Sequence, residues 1–313
     1  MEEVLVVLKD PAVRRITAEE VWAKLKSAQD LPTLPKVANK VVRMAVDPNV
    51  SLREVARVVE SDPALAFKIL KVVNSAFYGF SRKIGSISLA VSILGTREVI
   101  LLTLGVSVFS AFPPVPGKPS FDREAFWRHS IGCGAIARAL EERFGKGGYD
   151  ELFSGGLLHD VGKILLDQYF HFEFLEALDI SWRERIPMEE AELKVFGTTH
   201  EEVGGWLAER WQLPEGLVAC IRYHHRPFEA PPEYREEVGF VHIADILTKA
   251  RGVGLGGDNV GFSLMHDAVW KEFAKDLGEV DIERLTFEME DEIEKAEAFM
   301  ELYMEDASKE ENC

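Results

Sequence analysis

Five of the eight histidines form an ordered series with two aspartates: His129, His159-Asp160, His200, His224-His225 and Asp245. Imidazole and carboxylate are ligands for divalent transition metals, and a helical bundle can turn such side chains toward one point. The centre of the series is "GLLHDVGKILLD", residues 156–167, where His159, Asp160 and Lys163 interrupt an apolar run. A charge withdrawn from water is costly unless paired, so counter-charges or a metal ion are expected beside them. On one continuous helix over 150–167, consecutive side chains project about 100° apart, and His159 and Asp160 would flank a wedge for an ion. Lys163 lies i+4 and i+3 from them, on the same side. A cation beside a metal site calls for an anion between the two, which points to a bound phosphate. Gly162 leaves room there, and Gly155-Gly156 allow another helix to approach.

Taken singly, each residue has a simpler reading. A buried histidine is commonly a hydrogen-bonded core residue, and His171, His242 and His266 are assigned that role. Asp245 could pair with Lys249 at i+4. His224-His225 could mark a helix C-terminus, where the dipole favours imidazolium. Cys133, i+4 from His129, reads as small core filler. The joint order of the series is what points to metal.

The elements that must position these residues are helices; no run alternates as a strand would. Thr17 with Glu20 and Ser51 with Glu54 fit capping boxes. Asp62 caps a helix with Pro63 at its first position. Ser86 to Leu94 reads as a helix stopped by Gly95, followed by an apolar helix from Thr96 to about Phe112. "FPPVPGKPS", 112–120, breaks the chain into two helical parts. Asp122 then caps a helix to Phe144, ended by "GKGG". Further helices are expected near 150–167, 169–180, 187–196, 199–211, 214–224, 235–250 and 263–277. "GVGLGGD", 252–258, follows no strand, so it reads as a loop rather than a nucleotide-binding turn. Ile282, Leu285, Met289, Ile293, Ala296, Met300 and Tyr303 give the tail a helical apolar stripe. That stripe is expected to pack on its own domain, with a homodimer seam as the alternative. The expected architecture is an all-α helical bundle divided at 1–113, 114–278 and 279–313.

The 313 residues are 47% hydrophobic with net charge −17. Residues 279–313 hold 14 acidic and 3 basic residues, which is −11 of that total and leaves −6 on the body. With no basic stripe, nucleic-acid binding is disfavoured. Cys133, Cys220 and Cys313 show no disulfide spacing, which suits a reducing cytoplasm. The N-terminus lacks a basic signal start, the apolar stretch 99–112 is too short for a membrane helix, and the "NVS" at Asn49 is read as a loop before a cap. A soluble, cytoplasmic protein is expected.

The order H…HD…D around "HDVGK" resembles the HD superfamily of metal-dependent phosphohydrolases. His200 and His224-His225 resemble the histidines added in its two-metal HD-GYP branch, which hydrolyses cyclic di-GMP. "LPTLPKVANKVVRMAVDPNVSLREVARVVESDPALAFKILKVVNSAFYG", 31–79, and "SISLAVSILGTREVILLTLGVSVF", 86–109, resemble the HDOD domain, an HD-related output module of bacterial signalling proteins. The resemblance covers roughly 20–250 and implies an N-terminal helical subdomain followed by an HD-like helical domain. HDOD domains commonly lack a full ligand set, and this chain keeps one. "HHRPFEAPPEY" carries no GYP motif, and Ala125 stands where members with larger clusters have an acid, so two ions are expected rather than three.

From that resemblance, one ion is held by His129, His159, Asp160 and Asp245 and a second by His200, His224 and His225, with Asp160 bridging. The ions would be iron, manganese, zinc or nickel, activating water for attack on phosphorus. Asp160 and Lys163 are the catalytic candidates, Lys163 stabilising charge on the phosphate. The expected function is an HDOD signal transduction protein with a dinuclear centre that hydrolyses a phosphodiester. Its ligand would be a nucleotide or cyclic dinucleotide, and its partner another signalling protein. The alternative is a non-catalytic binding module in which metal is structural or senses a ligand.

Overall fold

The helix starts encoded in the sequence are used. The Thr17 hydroxyl accepts from the Glu20 amide while the Glu20 carboxylate accepts from the Thr17 amide, and Ser51 and Glu54 repeat the exchange. Asp62, Ser86 and Asp122 likewise accept from amides three residues on. Each satisfies a first-turn donor that the helix itself leaves free.

The computed structural model describes residues 15–45, 47, 50–112, 121–145, 147, 151–257, 264–275, 282–296 and 299–301. The expected proline-rich break after Phe112, Asn49, part of the "GKGG" stop, Asp258 and the tail beyond 301, with Tyr303 and Cys313, lie outside them. Among the described residues the regular structure is entirely helical. Six helices form the first part: α1 (Ala18–Ser27), α2 (Lys36–Ala45), α3 (Leu52–Glu60), α4 (Pro63–Val73), α5 (Ile87–Leu94) and α6 (Thr96–Ala111). The long α7 (Arg123–Phe144) follows, then α8 (Leu152–Leu158), α9 (Val161–Tyr169), α10 (His171–Glu184) and α11 (Met188–Phe196). The chain continues with α12 (His200–Arg210), α13 (Glu215–Tyr223), α14 (Arg235–Ala250), α15 (Ala268–Ala274) and α16 (Ile282–Lys295). None of these helices is long and apolar enough to cross a membrane.

Two apolar clusters meet on α7. The larger runs from Val21 and Leu25 of α1 through α6 to Ile164 of α9, Leu207 of α12 and Phe299. The smaller gathers Ile136 and Leu140 of α7 with Phe240 and Leu247 of α14 and Leu285 and Met289 of α16. The tail stripe therefore covers its own chain. Leu285, Met289, Ala296 and Met300 are buried, and the Phe299 ring lies 4.5 Å from Phe153 and 5.7 Å from Phe77. Phe299, absent from the expected stripe, thus joins the α4–α5 connection to α8. Lys71 of α4 pairs with Glu301 at 3.0 Å.

One expectation is corrected. The helix expected over 150–167 is two helices, with His159 and Asp160 in the turn between α8 and α9. Asp160 sits at φ −98°, ψ 8°, so it does not share one helix face with His159. The Gly155-Gly156 expectation holds: a Cβ on Gly156 would lie 2.6 Å from the Gly134 backbone, so α7 and α8 touch backbone to backbone.

Two carboxylates converge away from the histidines. Glu151, at the start of α8, and Glu237 of α14 both direct an oxygen at the Gly216 face of α13, and Arg97 holds the other Glu151 oxygen. Burial, with Glu151 adding to it and Arg97 opposing, pushes the Glu237 carboxyl from its ordinary 4.5 up to about 7. The folded protein then keeps a proton that the unfolded chain releases above 4.5. The stability from this group is therefore lost as pH rises toward and through 7. Glu237→Gln is expected to flatten the decline of Tm over that window and to raise Tm at about pH 8, as read by calorimetry across pH.

Candidate metal centre

His129 comes from the second turn of α7, and His159-Asp160 from the α8–α9 turn. His200 opens α12 behind its Thr199 cap, His224-His225 follow α13, and Asp245 lies in α14. His129, His159, Asp160, His200 and His224 are fully buried and Asp245 nearly so. His225 keeps 11% of its side chain exposed.

The side chains meet in two groups that share Asp160. In one, ligand-type atoms of His129, His159 and Asp160 all lie within 4.8 Å of one another; in the other, those of Asp160, His200, His224 and His225 do. Asp160 Oδ2 faces His159 Nε2 at 3.2 Å and His129 Nε2 at 3.9 Å. Its Oδ1 faces His200 Nε2 at 3.2 Å and His224 Nε2 at 3.5 Å. Asp245 Oδ1 closes the first group, 3.0 Å from His129 Nε2 and 3.8 Å from His159 Nε2.

The imidazoles are held by their far sides. His159 Nδ1 donates to the Gly156 carbonyl at 2.6 Å and His224 Nδ1 to the Ile221 carbonyl at 3.0 Å. A carbonyl only accepts, so each Nδ1 carries a hydrogen and Nε2 is the ring nitrogen turned inward. His200 is held by Glu192, whose Oε2 accepts from both His200 Nδ1 (2.7 Å) and the His200 amide (2.8 Å). His129 Nε2, His159 Nε2, His225 Nε2, Asp160 Oδ1 and Asp245 Oδ1 are buried without a hydrogen-bond partner. Buried polar atoms are normally satisfied, and a donor set of imidazole nitrogens and carboxylate oxygens suits a transition metal. The residues present therefore fit metal ions.

Each carboxylate also carries a lysine. Lys163 Nζ lies 2.7 Å from Asp160 Oδ2 and Lys249 Nζ 2.9 Å from Asp245 Oδ2. Lys163 is fully buried, and its second partner is the Gly256 carbonyl at 2.5 Å. Burial alone would raise the Asp160 carboxyl; His159 and Lys163 outweigh it and hold the group well below the usual carboxylate range. Lys249 and His129 do the same for Asp245 against its burial. Burial drives the His224 imidazole down to about 3, and burial with neighbouring imidazoles drives His225 well below its ordinary value. At His200 burial is overcome by Glu192, and the imidazole is pushed up to about 9.

Sequence reasoning missed two supporting residues. Glu192 is fully buried yet stands eight residues before His200 in an ordinary charged helix, so no spacing rule exposes it. His242, assigned to the core, donates from Nδ1 to the His224 carbonyl at 2.6 Å, with Asp267 3.2 Å from its Nε2. His171 has the structural role expected, in a buried chain Arg123–Asp167–His171 with contacts of 2.8 and 2.7 Å. Cys133 is buried core, its Sγ 3.8 Å from the Val241 carbonyl.

The model of the HDOD domain matches residues 31–227. A solved HDOD domain protein of unknown function from Geobacter sulfurreducens is 30% identical, with a TM-score of 0.74 over 91% of this chain and 96% of that one. A candidate phosphohydrolase from Shewanella amazonensis SB2B shares the fold at 22% identity and a TM-score of 0.68, covering 90% of this chain and 98% of that one. An uncharacterised protein of Treponema pallidum (strain Nichols) is 28% identical over 221 residues, 70% of this chain but 42% of that longer protein.

Proposed function

Because the chain belongs to the HDOD domain family, and its buried histidines and aspartates gather round one carboxylate, we propose that it is an HDOD signalling protein holding two divalent transition-metal ions and hydrolysing a phosphodiester. The observation that carries this reading is the division of Asp160, one oxygen facing His129 and His159 and the other facing His200 and His224. His129, His159, Asp160 and Asp245 would hold one ion, and His200, His224, His225 and Asp160 the other. Iron, manganese, zinc and nickel all suit this set. When bound, the pair would supply an activated water and polarise a phosphoryl oxygen.

The chain's own residues do the rest. Lys163, with His159, keeps Asp160 ionised, and its ammonium beside that carboxylate would stabilise charge on a phosphoryl group. Lys249 plays the same part for Asp245. The substrate class is a nucleotide or cyclic dinucleotide, the partner another signalling protein and the setting cytoplasmic. The divisions 1–113, 114–278 and 279–313 are assigned as the N-terminal HDOD part, the metal-binding part and the acidic helix, all resting on shared apolar clusters.

Near-complete burial of the ligands favours a second reading, a binding module in which metal is structural or senses a ligand. Elemental analysis of the purified chain, followed by hydrolysis of bis(p-nitrophenyl) phosphate with manganese or ferrous iron, separates the two. Metal with turnover supports the enzyme; metal without turnover on any phosphate ester supports the module; a metal-free centre under replete conditions ends both.

Glu192→Gln keeps an acceptor for His200 but removes the charge. It is expected to weaken the ion on the His200 side by about 10–100-fold and leave the His129 side unchanged, as read by chelator competition.

A further inference from the structure

The loop after α14 is built against the centre. Gly254, at φ +65°, presses on α7 so closely that a Cβ would fall 2.1 Å from the Ala125 carbonyl and 2.4 Å from the His129 amide. The Leu255 amide donates to that Ala125 carbonyl at 2.9 Å, and Trp182 Nε1 of α10 donates to the Gly257 carbonyl at 3.2 Å. At Gly256 a Cβ would meet Lys249 Cε at 2.7 Å and His129 Nε2 at 3.1 Å. The backbone thus lies directly on the ring of a candidate ligand and between the two lysines. The Gly256 carbonyl accepts from Lys163 Nζ, an ammonium already paired with Asp160.

A connection that merely spans two helices needs none of these contacts. A carbonyl oxygen on a buried ammonium occupies the position of an anionic oxygen, and here that ammonium adjoins the shared carboxylate. Resting on the reading of a phosphate-binding centre, we infer that residues 253–257 form an intramolecular plug, with the Gly256 carbonyl standing in for a phosphoryl oxygen on Lys163. Binding of a phosphoryl anion and release of the loop are then one event, and the state of the centre is passed to the surface through this loop. The near-complete enclosure of the ligands follows from the plugged conformation, and affinity for phosphate is reduced by the fraction of molecules in which the plug is seated.

The test uses the full chain loaded with manganese and inorganic phosphate as the probe. Phosphate is expected to speed hydrogen exchange in 253–257 and to leave α9 protected. Trp182→Phe removes one hydrogen bond from the seated loop and is expected to tighten phosphate binding about fivefold. Gly254→Ala, which forces the loop off α7, is expected to exceed that. If Gly254→Ala fails to fold, Trp182→Phe and the exchange measurement still decide. Unchanged or slower exchange with phosphate, unchanged affinity in Trp182→Phe, or no phosphate binding in any of the proteins overturns the plug. Phosphate that binds and frees the loop in a protein that hydrolyses no ester leaves the plug standing and removes the enzyme reading. Hydrolysis with exchange unaffected by phosphate does the reverse.

Discussion

If the centre holds the two ions proposed, Asp160→Asn is expected to empty it, taking bound metal from two per chain to none by elemental analysis. His225→Ala is expected to remove only one. The asymmetry follows from position. Asp160 is the residue shared by both ligand groups, whereas His225 belongs to one and lies nearest the surface. Asparagine matches the carboxylate in size, so packing is conserved, but it offers one weak oxygen ligand where two charged ones stood. It also strips the fully buried Lys163 of its counter-charge. Breaking a buried ion pair costs about 3 kcal/mol or more. Urea unfolding in the presence of a chelator should show that loss independently of metal. Retention of two ions in Asp160→Asn would remove the shared-carboxylate geometry from consideration.

Gly162→Ala is expected to destabilise the protein by ~3 kcal/mol or more and to cost the His200 side of the centre its metal. A methyl at Gly162 would lie 2.0 Å from the His200 carbonyl oxygen and 2.8 Å from the Gly204 amide nitrogen. Both are backbone atoms, so no rotamer change relieves the clash, and α9 and α12 must separate. His200 Nε2, on α12, and Asp160 Oδ1, on the turn that leads into α9, are now 3.2 Å apart and would part as the helices do. Calorimetry reads the stability, and metal titration should show the His129 side retained. Wild-type stability in Gly162→Ala would mean that the two helices can separate without loss.

Helix starts were legible because capping is local: Thr17, Ser51, Asp62, Ser86 and Asp122 each act within three residues of themselves. The apolar positions Leu285 and Met289 of α16 were legible for the same reason, since helical period alone places them on one side. The break at His159-Asp160 was not. Leu157, Leu158, Val161, Ile164 and Leu165 are apolar on either side of it, and an apolar run carries no mark of where two buried helices turn. Nor was the burial of the Phe299 ring, because that depends on Phe77 and Phe153 being close by.

At the centre, sequence by itself determined which side chains have the chemistry and in what order they occur; imidazole and carboxylate identity is written in single residues. Tertiary structure alone decided that Asp160 divides its two oxygens between histidine sets, that Glu192 holds His200, and that the Gly254–Gly257 backbone lies on Lys163 and His129. Apart from the adjacent His159 and Asp160, those contacts join positions from 8 (Glu192 and His200) to 127 (His129 and Gly256) residues apart. They arise only when whole helices pack, and no pattern with a period of a few residues can specify them.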